Sequence, residues 1–255
     1  MNKIKVISAL LAALFILNIN SDAQEGEPGG QLWYVWEAMV KPSMNDKYME
    51  MSAKIVDHCK QHDFPYTFHV WASPVFHYLW YYPIDDVKDT EMINRAWMGM
   101  ASNMDPEIVA AFFGSIDRYE ERVLFDRFDL GYVPQNPRIE PAESGFVFRQ
   151  VFHVFPGKNR ELEEIFKEYN VLLKNRDFPE RYDCATGILG YENPSYILFN
   201  YGKDAGDFWT NYEKVAAILG EDLNSFNLRI SRLIRKSEAE MLWYVQPFSY
   251  QRDNL

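Results

Sequence analysis

Three ionisable residues in two apolar segments are the strongest candidates for chemistry in this sequence. Glu37 lies in the segment Leu32 to Val40, and Arg149 and His153 lie in the segment Phe146 to Phe155. Strand side chains alternate between two faces, so all three fall on matching faces of two predicted strands. Such a set in an aromatic-walled cavity could orient an anionic aromatic substrate and move a proton. We predict these residues as catalytic; the alternative is a buried, mutually satisfied polar cluster.

Aromatic residues near these segments are candidates for ligand contacts. The predicted ligand-binding residues are Trp33, His69, Trp71 and Tyr81. Tryptophan and tyrosine combine a large apolar surface with a polar tip, which suits the wall of a cavity. The alternative is that they fill a core, because the whole chain is rich in aromatic residues.

Four histidines stand in pairs, but neither pair has a complete set of metal ligands. His58 and His62 have the i, i+4 spacing of a helical metal site, without the acidic residue found between zinc ligands in hydrolases. His69 and His77 flank a predicted hairpin and could approach each other, but no carboxylate is adjacent in sequence. We expect no metal and no cofactor.

Composition and motifs exclude several classes of function. The net charge of −11 argues against nucleic acid or an anionic membrane surface as partner, since both need a basic footprint. There is no glycine-rich phosphate loop and no Gly-x-Ser-x-Gly motif of a serine hydrolase. Aromatic residues make up 16% of the chain, so a well-buried core is expected and disorder is not.

The first 23 residues have the pattern of a signal peptide. Lys3 and Lys5 precede an apolar run from Ile7 to Ile19, which is too short for a membrane span of about 20 residues. Ser21-Asp22-Ala23 fits a cleavage site. We therefore expect residues 1–23 to be removed, a flexible leader at 24–31, and a periplasmic or secreted protein; an uncleaved anchor is the alternative.

The two cysteines could form a disulfide in such an oxidising compartment. Cys59 belongs to a predicted helix of the first half, and Cys184 begins a predicted strand of the second half. Because small buried thiols pack well in a core, we expect two free, buried cysteines.

A repeat divides the exported part of the chain. Asp63-Phe64-Pro65 recurs as Asp177-Phe178-Pro179 at an offset of 114, and Tyr78-Leu79-Trp80 resembles Tyr196-Ile197-Leu198. A third echo, at an offset of 112, relates the segment 130–134 to the segment 242–247. Several echoes in one order indicate a duplication. The predicted units are residues 32–134 and 145–250, with a proline-rich linker at 135–144 and a tail at 251–255.

Each unit has the predicted order strand, helix, strand, strand, helix, strand. The Asp105-Pro106 pair divides the second helical region of the first unit, since it combines an N-cap with proline at the first helical position. The predicted strands of the first unit are Leu32 to Val40, Tyr66 to Ala72, His77 to Tyr82 and Leu130 to Val133. Those of the second unit are Phe146 to Phe155, Tyr182 to Leu189, Tyr196 to Tyr201 and Leu242 to Val245.

This βαββαβ order is the pattern of the ferredoxin-like fold. Two tandem copies resemble the dimeric α/β-barrel superfamily, which implies an α+β fold with two sheets around one shared core. The superfamily contains small monooxygenases, haem-handling enzymes, isomerases and ligand-binding proteins. The fold therefore does not select a chemistry.

The main expectation is an exported protein that binds an apolar or aromatic small molecule between its two sheets. Because the two repeats are fused, we expect a monomer, with neither nucleic acid nor, after cleavage of the signal peptide, a membrane as partner. One alternative is a cofactor-independent monooxygenase or an isomerase-like enzyme on the same scaffold. Another is a structural or interaction protein without a ligand pocket.

Overall fold

The computed structural model describes residues 29–252, which form an α+β fold with eight strands and six helices. The elements of the first repeat are β1 (Leu32–Val40), α1 (Asn45–Gln61), β2 (His69–Ala72), β3 (His77–Ile84), α2 (Asp89–Ala101), α3 (Pro106–Ser115) and β4 (Ile116–Asp126). Those of the second repeat are β5 (Phe146–Val154), α4 (Asn159–Asn175), β6 (Tyr182–Leu189), β7 (Ser195–Gly202), α5 (Ala205–Leu219), α6 (Glu221–Ser231) and β8 (Ile234–Tyr244).

The eight strands close into one barrel in the order β1-β3-β2-β8-β5-β7-β6-β4. Every adjacent pair is antiparallel, and each repeat contributes four neighbouring strands. The repeats meet where β2 pairs with β8 and where β4 pairs with β6. This confirms the predicted tandem ferredoxin-like architecture and leaves no free sheet edge.

Alternation along the strands separates the barrel interior from two outer cores. Val35, Val147 and Val151 belong to an interior cluster of buried residues. Tyr34 and Phe152, on the opposite strand faces, pack in separate clusters beneath the helices of their own repeats. The predicted assignment of the two strand faces is therefore correct.

The last strand of each repeat differs from the prediction. The segment Leu130 to Val133 is not a strand; it contributes one isolated bridge, between Tyr132 and Tyr182, and β4 lies earlier. The strand β8 begins at Ile234, earlier than the predicted last strand, Leu242 to Val245. Both strands are rich in Arg and Glu, which favour helices in isolation; pairing along β1 and β5 overrides that preference.

The strand registers establish which positions of the two repeats correspond. In β1 and β5 the offset is 114, so Trp36 corresponds to Gln150. In β3 and β7 it is 118, which confirms the match of Trp80 with Leu198. The last strands also match at 118, so the echo at an offset of 112 does not mark equivalent positions.

The structure also bears on the two cysteines and on membrane-spanning helices, but not on the signal peptide. Cys59 and Cys184 are both free and buried, as expected. Within residues 29–252, none of the helices has the length and apolar character needed to cross a membrane. The predicted signal peptide lies outside the described residues, so cleavage and export remain predictions.

Candidate functional site

The barrel interior brings Glu37 and Arg149 together, as the strand pattern predicts. An Arg149 Nη2 group donates a hydrogen bond of 3.2 Å to Glu37 Oε1. Arg122 Nε and His77 Nε2 lie 3.2 and 3.4 Å from Glu37 Oε2. His77 Nδ1 lies 2.7 Å from Glu240 Oε1, which extends the network into β8. These ionic contacts join the two repeats through the centre of the barrel.

Because the network is buried, the charge of each group strongly affects the pKa of its neighbours. Glu37 is 1% exposed and Arg149 is 4% exposed. Burial alone would raise the pKa of Glu37, but the adjacent Arg149, His77 and Arg122 lower it to about 2. Burial would lower the pKa of His77, but its contacts with Glu240 and Glu37 raise it instead. The cluster is thus a set of paired charges rather than a free acid or base.

The third predicted catalytic residue, His153, lies apart from this network. Its Nδ1 is 3.1 Å from the backbone oxygen of Glu192, and its Nε2 is 3.3 Å from Glu238 Oε1. It sits at the end of the barrel where β5 finishes. The structure therefore brings Glu37 and Arg149 together but not His153. The catalytic role of all three residues remains a prediction.

The predicted ligand-binding residues gather near the opposite end of the barrel. The ring centroids of Trp33 and Tyr81 are 6.3 Å apart, and Trp71 and His69 lie 5.1 and 6.3 Å from Tyr244. Trp33, Trp71 and Tyr81 pack with the interior cluster. They thus form an aromatic layer on one side of the ionic network; ligand binding by them remains a prediction.

A half-buried carboxyl group, which the sequence did not indicate, lies beside this aromatic layer. Trp33 Nε1 donates a hydrogen bond of 2.7 Å to Asp126 Oδ2. Burial, together with the nearby negative charge of Asp183, raises the pKa of Asp126 to about 7. Asp126 can therefore exchange a proton near neutral pH.

Neither histidine pair forms a metal centre. The rings of His58 and His62 lie with centroids 4.0 Å apart and tilted by 41° at the end of α1. His69 and His77 lie at opposite ends of the β2–β3 hairpin, since His69 pairs with Tyr81. In the described part of the chain, no group of three or more histidine, cysteine, aspartate or glutamate residues could hold a metal ion.

A cavity of about 410 Å³ lies elsewhere, between the sheet of the second repeat and its helices. Its size falls within the usual range of small-molecule pockets, about 300 to 1,000 Å³. Its walls are mainly apolar and aromatic and come from β5, β7, α4, α5 and α6, and include Phe152, Phe166, Tyr169, Leu173, Leu198, Tyr212, Val215, Leu223, Phe226 and Ile230. Such a volume and lining suit a small apolar or aromatic molecule.

The divergence of the two repeats explains this cavity. At three matched positions on the helix-facing side of the sheet, the first repeat has large aromatic residues and the second has smaller or polar ones. These pairs are Trp36 and Gln150, Trp80 and Leu198, and Tyr82 and Asn200. All three second-repeat residues line the cavity.

In the first repeat large side chains fill the space beside the sheet, and a pocket of about 540 Å³ in that repeat is lined by helix and loop residues such as His58 and Met100 rather than by its strands. Trp80 is 2% exposed, donates a hydrogen bond of 3.0 Å to Tyr48 Oη, and packs 5.2 Å from the Phe68 ring. Trp36 stacks on Phe112 with centroids 6.0 Å apart. Because the same fold accommodates the large side chains on one side, their loss on the other leaves ligand-sized space.

Charged groups of the cavity lining are paired with one another or with nearby residues. Arg138 donates to both carboxylate oxygens of Glu180, at 2.6 and 3.0 Å, and to Asp207 at 2.9 Å. Arg181 donates to Asp183 at 2.9 Å. Glu180 is the one carboxylate among the lining residues.

The sequence alone does not reveal this cavity. The tripeptides containing Trp80 and Leu198 resemble each other, which indicates the repeat. The cavity is indicated instead by the difference in size between the Trp80 and Leu198 side chains. Once the strand registers are known, the smaller Gln150 at the position of Trp36 indicates the cavity in the same way.

Comparison with known proteins supports the fold but gives no close relative. No protein-family model and no curated protein matches the sequence. An anthrone oxidase-like protein superposes with a TM-score of 0.58 at 12% identity, covering 88% of this chain and 94% of that one. A protein named as a monooxygenase from Lactobacillus acidophilus NCFM gives 0.51 at 6% identity, covering 85% and 94%.

A chlorite dismutase from Candidatus Nitrospira defluvii, in complex with imidazole, is also similar, with a TM-score of 0.52 at 9% identity and coverage of 85% and 92%. The chain thus has the dimeric α/β-barrel fold that the sequence predicted. The main functional expectation, an exported ligand-binding protein, is contradicted, because these structural neighbours are named as oxidase-like, monooxygenase and chlorite dismutase proteins. They favour the alternative, an enzyme on the same scaffold.

The types of side chain in the lining bear on whether the cavity could hold haem. The iron of most protein haems is held by histidine, cysteine or methionine. None of these residue types lines the cavity. The lining therefore lacks the axial ligands of most protein haems.

Proposed function

We propose that this protein is a cofactor-independent oxygenase that oxidises a flat aromatic small molecule in the cavity of its second repeat. The cavity carries the proposal, because the first repeat fills the corresponding space with aromatic side chains. The names of the similar structures support an oxidative reaction.

The proposed substrate is a polycyclic aromatic compound with an acidic CH₂ group, such as anthrone. Removal of a proton gives an electron-rich carbanion that can reduce dioxygen directly. In the overall reaction, CH₂ and O₂ give C=O and H₂O, so the substrate supplies all four electrons. No separate reductant is required.

Residues of the cavity have separate roles in this proposal. The rings of Phe152, Phe166 and Phe226 hold the aromatic faces of the substrate and exclude water. Glu180 is the proposed proton acceptor, since it is the carboxylate of the lining, and Arg138 holds it in place through two hydrogen bonds.

Oxygen uptake with anthrone tests this function. We expect the mature protein to consume one O₂ per anthrone above the background reaction, with label from ¹⁸O₂ in the ketone product. Leu198→Trp, which copies Trp80 of the first repeat, should reduce the rate at least 100-fold by filling the cavity while preserving the fold.

A matched control is Leu79→Met in the barrel interior, outside the cavity, which should retain most of the activity. Uptake equal to background, or equal rates for the wild type and Leu198→Trp, would contradict the proposal. Conversion of the substrate without oxygen uptake would instead indicate an isomerase.

A further inference from the structure

Two carboxamide side chains on the sheet wall of the cavity have unused hydrogen-bonding capacity. Gln150 lies on β5 and Asn200 on the adjacent β7, and the register places them diagonally on the same, helix-facing side of the sheet. Both are half-buried and both line the cavity. Within residues 29–252, neither side chain has a hydrogen-bond partner.

The matched residues of the first repeat carry no carboxamide group. Tyr82, the counterpart of Asn200, accepts a hydrogen bond of 3.1 Å from Trp97 Nε1. Trp36, the counterpart of Gln150, lies in an aromatic stack. Unpaired amides in a half-buried apolar wall destabilise a fold unless water or a ligand binds them. Both amides are half-buried and line the cavity, so water satisfies them in the free protein, and a polar group of a ligand in the cavity can take the place of that water.

The charges around the cavity limit what that ligand can be. Arg138 and Arg181, the cations of the lining, are paired with Glu180, Asp207 and Asp183. A carboxylate ligand would have to displace one of these partners. A neutral carbonyl or hydroxyl group needs only the donors and acceptors that an amide supplies.

We propose that Gln150 and Asn200 recognise the oxygen atom of a neutral aromatic ketone or phenol and orient it against the sheet wall. This inference rests on the proposed use of the cavity, and it adds the substrate class and two specificity-determining residues. It does not depend on the oxidation step, because binding can be measured without oxygen.

The test is equilibrium binding of three fluorescent probes under nitrogen: 2-naphthol, naphthalene and 2-naphthoate. The wild type should bind 2-naphthol about tenfold more tightly than either of the other two, since one satisfied hydrogen bond contributes that much. The Gln150→Met/Asn200→Leu double variant keeps the side-chain volumes and should lose this preference. Its affinity for naphthalene should be unchanged or higher.

Tyr82→Phe is the matched control, because it removes a polar group at the corresponding position of the first repeat; it should keep the wild-type preference. Equal affinity for 2-naphthol and 2-naphthoate, retention of the preference in the double variant, or absence of 2-naphthol binding would overturn the inference. Selective binding without oxygen uptake from anthrone would refute the proposed oxygenase and leave this inference standing. Oxygen uptake from anthrone by the wild type, together with unchanged selectivity in the double variant, would support the proposed oxygenase and refute this inference.

Discussion

At the scale of single residues, Glu37 carries a charge into the barrel interior between cations of both repeats. Arg122 and His77 come from the first repeat and Arg149 from the second, and all lie within 3.4 Å of its carboxylate. Their combined effect outweighs the cost of burial, so Glu37 stays ionised in the folded protein. The network therefore couples the stability of the two repeats, whatever its part in catalysis.

Glu37→Gln should destabilise the protein by about 3 to 5 kcal/mol at pH 7, because it leaves Arg149 buried beside a neutral group. The loss can be measured by denaturation in urea. Glu50→Gln is a suitable control, since Glu50 forms exposed ion pairs on α1 and its loss should cost no more than about 1 kcal/mol.

The pH dependence of this effect has a definite sign. The pKa of Glu37 is about 2 in the folded state, below its ordinary value of 4.5. Its contribution to stability is therefore fully present above pH 4.5 and is lost as the pH falls towards 2. The difference between wild type and Glu37→Gln should shrink over that range; a constant difference would show that the charge is not its cause.

Asp126 should behave in the opposite way. Its folded-state pKa of about 7 lies above its ordinary value of 3.8, so folding favours the protonated form. Stability from this group is present below pH 3.8 and is lost as the pH rises through 7. Asp126→Asn should consequently be more stable than the wild type at pH 8, by about 1 to 3 kcal/mol, with no difference at pH 4.

Thermal unfolding at the two pH values measures this change, and a ¹³C titration of the carboxyl carbon gives the pKa directly. A midpoint near 4 would contradict the burial and charge argument. Asp85→Asn is the control, because Asp85 lies on an exposed turn and lacks the burial of Asp126.

At the scale of elements, the helix α5 links local stability to the cavity. Asp204 caps it by accepting a hydrogen bond of 2.8 Å from the backbone of Asp207. Asp105 caps α3 of the first repeat in the same way, with a hydrogen bond of 2.9 Å from Glu107. Each cap therefore satisfies one backbone N–H in the first turn of its helix, and of these two helices only α5 lines the cavity.

Asp204→Ala and Asp105→Ala should each reduce stability by about 0.5 to 2 kcal/mol. The Asp204 variant should also weaken 2-naphthol binding, because α5 forms part of the cavity wall, whereas the Asp105 variant should not. Urea denaturation and fluorescence titration measure the two effects. Equal affinity of the Asp204→Ala and Asp105→Ala variants for 2-naphthol would mean that α5 does not hold the ligand.

The elements also show where sequence reasoning succeeded and where it did not. Apolar β1 and β5 and their alternation could be predicted, and so could the split at Asp105-Pro106. The charged strands β4 and β8 could not, because their Glu and Arg side chains find partners only when these strands pair with β1 and β5. The pairing of Glu37 with Arg149 followed from face alternation, whereas the cavity depended on registers that only the structure supplies.

At the scale of the whole molecule, barrel closure makes the two repeats one folding unit. The strands of each repeat end in contacts with the other, through β2 and β8 and through β4 and β6. A protease site inserted between the exposed residues Gln135 and Asn136 should therefore cut the chain without separating the halves.

Gel filtration after cleavage tests this expectation, with the uncut protein as reference. Both fragments should elute together at the position of the intact chain at neutral pH. Elution as two smaller species would show that the linker, rather than the shared barrel, holds the repeats together. The same experiment tests the predicted monomeric state, since the uncut chain should elute at its own mass of 30.0 kDa or, after loss of the signal peptide, slightly below it.

The central claim is that the substrate binds between the sheet and the helices of the second repeat, outside the barrel. A crystal structure of the protein with 2-naphthol, grown under nitrogen, tests it most directly. We predict density for the ring beside Leu198, with its hydroxyl group within hydrogen-bond distance of Gln150 or Asn200. Density inside the barrel, beside Trp33 and Tyr81, would contradict the claim and support the barrel interior as the binding site.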